Sequence, residues 1–133
     1  MQVLITFFPF ILLFVIYGAV CILNAAYIKL SGRILQQTFT SWKHSFIFSL
    51  AATLLTVMGK MVIFGVGVSI PPGLEIIIVF MLHLVLGGWY FGARGVSKLG
   101  QPLGWSGGAR LSALAFLFLV LTGVLVNGVY RII

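Results

Sequence analysis

The chain has 133 residues, 62% of them hydrophobic, and eight Lys or Arg against a single acid, Glu75, for a formal net charge of +7. One acid leaves no carboxylate pair for general acid–base work, and the single cysteine, Cys21, excludes a disulfide or thiolate-metal centre within the chain. Six of the eight basic residues fall between apolar runs, where cytoplasmic loops carry them, and this placement argues against a nucleic-acid surface.

A hydrocarbon core about 30 Å thick takes roughly 20 apolar residues of helix at about 1.5 Å per residue. Four unbroken runs of this order fill the sequence. Strands of a membrane barrel alternate over short segments, so unbroken runs predict helices.

The first run covers residues 3–28, with Pro9 in its opening turns and Asn24 near its end. No basic side chain precedes Lys29, unlike the start of a secretory signal, so this span is expected to be retained. Residues 29–43 read as a polar surface connection containing Lys29, Arg33, Gln36, Gln37, Thr38 and Lys43, with Trp42 suited to the headgroup zone. The second run, 44–70, carries Lys60 and ends at a tight Pro71-Pro72-Gly73 turn, because proline restricts the residue before it. An alternative treats residues 45–59 as a re-entrant or interfacial segment ending at Lys60, which leaves three spans.

The third run, 74–90, has Glu75 in its first turn, where the helix macrodipole favours an acid, and His83 halfway along. Residues 91–110 hold Arg94, Lys98 and Arg110 among so many glycines that a loop is expected rather than helix. The fourth run, 111–130, contains Asn127 and closes on an interfacial anchor, Tyr130 and Arg131. The expected fold is therefore an all-α membrane protein, a single integral domain over 1–133. Its four transmembrane helices form two antiparallel hairpins, with both basic loops inside and both chain ends outside (N-out/C-out). Compactness and the charge bias point to a bacterial inner membrane.

Shifting the chain by 63 residues pairs Pro9 with Pro72, Tyr27 with Tyr90, Gly32 with Gly95, Trp42 with Trp105 and Gly65 with Gly128. The shift gives 13 identities in 70 aligned pairs, against roughly six expected from so narrow a composition. Each unit would be a helix, a basic loop and a returning helix, making a parallel 2+2 repeat about an axis along the membrane normal. The competing reading is that apolar chains with interfacial aromatics resemble one another.

Reflecting the second and third spans about the double proline maps Lys60 onto His83, each about 11 residues, or roughly 16 Å, from the turn. A charged lysine at that depth costs on the order of 3 kcal/mol, so it should face the bundle interior. Glu75 shares the stripe of His83 through Val79, and the three make a candidate polar seam, Lys60, His83 and Glu75. A structural role is the alternative: Lys60 on backbone carbonyls or a water, and His83 on a hydroxyl such as that of Thr53 or Thr56. Asn24 and Asn127 are candidates for interhelical bonds, and Gly59, Gly65, Gly67, Gly87 and Gly88 for close helix approach. The ligand sets of metal sites are missing, and no cofactor is expected.

Nearly all of the expected surface faces lipid or other helices. The leading functional expectation is therefore a non-catalytic inner-membrane protein, a complex subunit, assembly factor or immunity-type protein. It would read a membrane-protein partner, or a copy of itself, through helix faces. The alternative is a small oligomeric transporter or channel for protons or a small ion using Lys60, His83 and Glu75. Catalysis is disfavoured, and its expected form would be a lipid-active enzyme using His83.

Overall fold

The computed structural model describes residues 2–35 and 40–131, the first few by backbone alone. It contains four helices: α1 (Gln2–Ile34), α2 (Trp42–Val66), α3 (Pro72–Arg94) and α4 (Gly104–Tyr130). Each is long and apolar enough to cross a membrane, which is consistent with a small membrane protein.

Every helix departs from its expected bounds. α1 runs past residue 28 through Lys29, Ser31 and Gly32, because Ser31 and Gly32 are small residues buried in the bundle rather than solvated linker. Arg33 lies in its last turn, where the helix dipole favours a cation, and Lys29 Nζ donates to the Thr40 carbonyl across the connection. The expected polar linker thus shrinks to residues 35–41, of which Gln36, Gln37 and Thr38 lie outside the described residues.

Ser41 caps α2, its Oγ accepting the His44 N–H at 3.2 Å. α2 is one continuous helix of 25 residues that runs on past Lys60, long and apolar enough to cross a membrane rather than ending at residue 59. It stops at Val66, earlier than the prolines imply, because Gly67 adopts φ 73°. The Gly67 N–H reaches the Phe64 carbonyl at 3.1 Å and the Val68 N–H reaches Ile63 at 3.2 Å, which closes a Schellman motif. Residues 68–71 are then non-helical, and Pro72 opens α3 at a position where its missing N–H costs nothing.

The expected loop over 91–110 is largely helix, a correction that concerns glycine. α3 continues through Gly92 to Arg94, and α4 starts at Gly104 and includes Gly107 and Gly108. A Cβ on Gly108 would come within 2.5 Å of the Gly87 carbonyl oxygen and 2.7 Å of the Gly92 nitrogen. These glycines let two backbones touch, so packing repays their helix-breaking tendency. Only residues 95–103 connect the two helices, held by bonds from the Leu103 N–H to the Gly95 carbonyl (3.0 Å) and from the Ser97 N–H to the Gln101 carbonyl (2.8 Å).

α3 and α4 pack most extensively, α1 packs on both α2 and α4, and α2 meets α3 only slightly. Ile28, Phe48, Phe91, Leu111 and Ala115 form the buried cluster, in the part of the bundle nearest the two connections at 35–41 and 95–103. Towards the opposite end packing gives out: residues 8–16 of α1 and 123–130 of α4 are exposed along every face. Phe48→Ala should therefore cost about 3 kcal/mol, while Phe14→Ala, at a side chain 82% exposed, should be nearly neutral. Unfolding midpoints of the purified protein in detergent read the difference.

Candidate functional site

Lys60 and His83 do not meet. The helical end of α2 at Val66 and the non-helical 68–71 move the folding-back point away from the double proline, so the tight-turn reflection overestimates the register. Lys60, six residues before the end of α2, instead faces Glu75, in the first turn of α3, with Nζ 2.5 Å from Oε1. The pair is half exposed, and it sits in a groove of about 200 Å³ walled by Ile63, Ile70, Ile78 and Leu82. Opposite charges in contact neutralise each other, and the pairing sets Lys60 level with the first turn of α3 rather than with its middle.

His83 lies two turns further along α3, about 12 Å from the level of Glu75. It is buried, and neither Thr53 nor Thr56 satisfies it: its Nδ1 donates to the Val79 carbonyl at 2.9 Å. Its ring packs against Phe116 at 4.9 Å and edge-on to Phe48 at 6.0 Å. Thr56 Oγ1 returns to the Ala52 carbonyl at 2.8 Å, and Thr53 Oγ1 accepts from Cys21 Sγ at 3.2 Å. The expected seam is thus divided into an ion pair in the α2–α3 groove and a histidine in the interior.

His83 lines a cavity of about 100 Å³ to which every helix contributes, with Tyr17, Asn24, Thr53, Thr56 and Phe116 among its walls. Asn24 is 2% exposed and its Oδ1 has no hydrogen-bond partner, so the interhelical bond expected from that oxygen is not formed. Asn127 is exposed, on the wall of a groove between α1 and α4, and no side-chain bond of Asn127 occurs among the described residues.

Further polar contacts, beside those of Cys21 and Lys29, have no counterpart in the sequence-based expectations. The Tyr27 and Thr122 hydroxyls pair between α1 and α4, His44 Nδ1 meets Tyr90 Oη at 3.0 Å between α2 and α3, and the Arg94 guanidinium lies 4.8 Å from the Tyr90 ring centroid. The one available signal was the position of Tyr27 and Tyr90 near the basic ends of their runs, which reads equally well as interfacial anchoring. Among the described residues no three His, Cys, Asp or Glu side chains converge.

The arrangement offers a self-neutralised charge pair at a helix groove and, at mid-height of the bundle, a half-open, mostly apolar pocket whose wall includes Asn24, Thr53, Thr56 and His83. No protein-family model matches the chain, and comparison with curated proteins and with solved structures finds no match. The class therefore rests on the chain itself, an all-helical protein whose four helices are consistent with a small membrane protein.

Proposed function

We propose that this is a four-span protein, two antiparallel hairpins with both basic connections in the cytoplasm, that acts without catalysis by docking its helix faces on another membrane protein. The observation that carries the reading is the one-ended packing of the bundle: its buried cluster lies near the connections, while the opposite ends of α1 and α4 are exposed along every face. An apolar groove of about 330 Å³ between that part of α1 and the middle of α2, lined by Phe10, Phe14, Leu50 and Leu54, is of a size to take side chains of a neighbouring helix. A membrane-protein subunit, or a second copy of this chain, is the expected occupant, and the bacterial inner membrane is the expected location.

A photo-crosslinking residue in place of Phe14 or Leu54, activated in native membranes, tests this. A discrete adduct with a second protein chain is expected, and its mass separates a partner from a self-pair. Adducts with lipid alone at both positions would contradict the reading.

One observation favours a second reading, passage of protons or a small ion: polar side chains from several helices meet at mid-height in one cavity. Flux into proteoliposomes, reduced at least tenfold by Asn24→Leu, is its expected signature. Absence of flux in the unsubstituted protein would remove it.

A further inference from the structure

Val20, Thr53, His83 and Phe116 each lie close to the middle of their helix, and all four wall the same cavity. They are also related by the 63-residue spacing, Val20 to His83 and Thr53 to Phe116, and a fifth and sixth wall residue, Thr56 and Leu119, repeat it. Burial follows the same spacing: Asn24 and Gly87, Ile28 and Phe91, Ser49 and Ser112, Ala52 and Ala115 are buried in pairs. Of the ten described residues buried before position 63, eight have a buried counterpart 63 positions later, where random placement would match about two. The halves are not identical in detail, since Tyr27 reaches Thr122 while Tyr90 reaches His44.

The cavity thus stands where the two halves meet, at the height of the bundle's middle, and its polarity is one-sided. Where one half supplies Val20, Phe116 or Leu119, the other supplies His83, Thr53 or Thr56. The apolar member of each pair shows that packing alone does not require a polar side chain there. Buried polar groups need partners, yet Asn24 Oδ1 has none. His83 donates through Nδ1, so a singly protonated ring presents Nε2 as a bare acceptor.

We propose that this cavity is a binding site for a small neutral hydrogen-bond donor of water size, held between Asn24 and His83 with the Thr53 and Thr56 hydroxyls around it. Its volume of about 100 Å³ corresponds to roughly three water molecules at their liquid volume. Lys60 and Glu75 neutralise each other in the α2–α3 groove, so neither is left to balance an ionic guest in the cavity. The proposal does not rest on docking; it concerns the same cavity as the conduction reading, where water would serve passage of protons but would leave a small ion unbalanced.

The test uses the full chain in lipid bilayers with nitrogen-15 histidine, reading magnetisation transfer from water protons to the His83 ring, which the His44→Gln variant distinguishes from the other histidine. Transfer from water is expected in the unsubstituted protein, and its loss in Asn24→Leu, whose side chain occupies the cavity. If Asn24→Leu does not fold, the near-isosteric Thr53→Val, Thr56→Val double variant is read instead and should cut transfer several-fold. A His83 ring reached only from lipid acyl protons overturns the proposal. Water transfer that persists at full strength in the variants overturns it equally.

Discussion

Gly108→Val is expected to be the most damaging single substitution, lowering stability by about 3 kcal/mol or more and abolishing the native fold in harsh detergent. The added Cβ would meet backbone on the facing helix, the Gly87 oxygen at 2.5 Å and the Gly92 nitrogen at 2.7 Å, and backbone cannot rotate out of the way. Gly87→Ala should follow in severity, because its Cβ would overlap Ser112. Gly59→Ala and Gly123→Ala are the controls: a Cβ at either meets nothing within 4 Å, and helix propensity predicts a gain of up to about 1 kcal/mol. Detergent titration of all four variants reads the order, and a Gly108→Val protein as stable as its parent would show that α3 and α4 do not cross at these glycines.

Lys60→Ala should cost about 1–2 kcal/mol, since it leaves the half-exposed Glu75 carboxylate unpaired beside an apolar groove. Glu75→Ala should cost as much for the mirror reason. The double variant Lys60→Met, Glu75→Leu removes both charges at once and is expected to return to within about 1 kcal/mol of the parent. That non-additivity is the signature of direct pairing. Two single effects that simply add in the double variant would mean that each residue meets something other than its partner.

The number and helical character of the long apolar segments were legible in the sequence, because nothing but a helix satisfies the backbone along an unbroken lipid-soluble run. Their ends were not. Ser31 and Gly32 look like linker residues, yet small side chains are also what a tight helix contact selects, and only the neighbouring helix decides between the two. The glycines from 92 to 108 failed in the same way: rules drawn from water-exposed helices count glycine as a breaker, whereas here Gly92 and Gly108 remove the side chains that would hold two backbones apart. Gly87 and Gly88 were rightly read as contact residues, while Gly59 and Gly65, given the same reading, face open space.

The sequence singles out Lys60, His83 and Glu75 as unusual within apolar runs, and which of them meet turns on one structural detail, the Schellman ending at Gly67. It leaves residues 68–70, the end of the expected run, outside the helix and brings Glu75 rather than His83 opposite Lys60. Proline signals where a helix must have ended, not where it does end. The interior cavity had no local signature at all, because its walls come from four separate segments.

The claim on which all of this depends is that α2 and α3 each cross the bilayer, leaving residues 67–71 and 95–103 on opposite faces. A Cys21→Ser background carrying either Ser69→Cys or Lys98→Cys, treated in sealed cells with a membrane-impermeant thiol reagent, measures it directly. Ser69→Cys should react from outside, and Lys98→Cys only after the membrane is opened. Reaction of both positions from the same side would contradict the account.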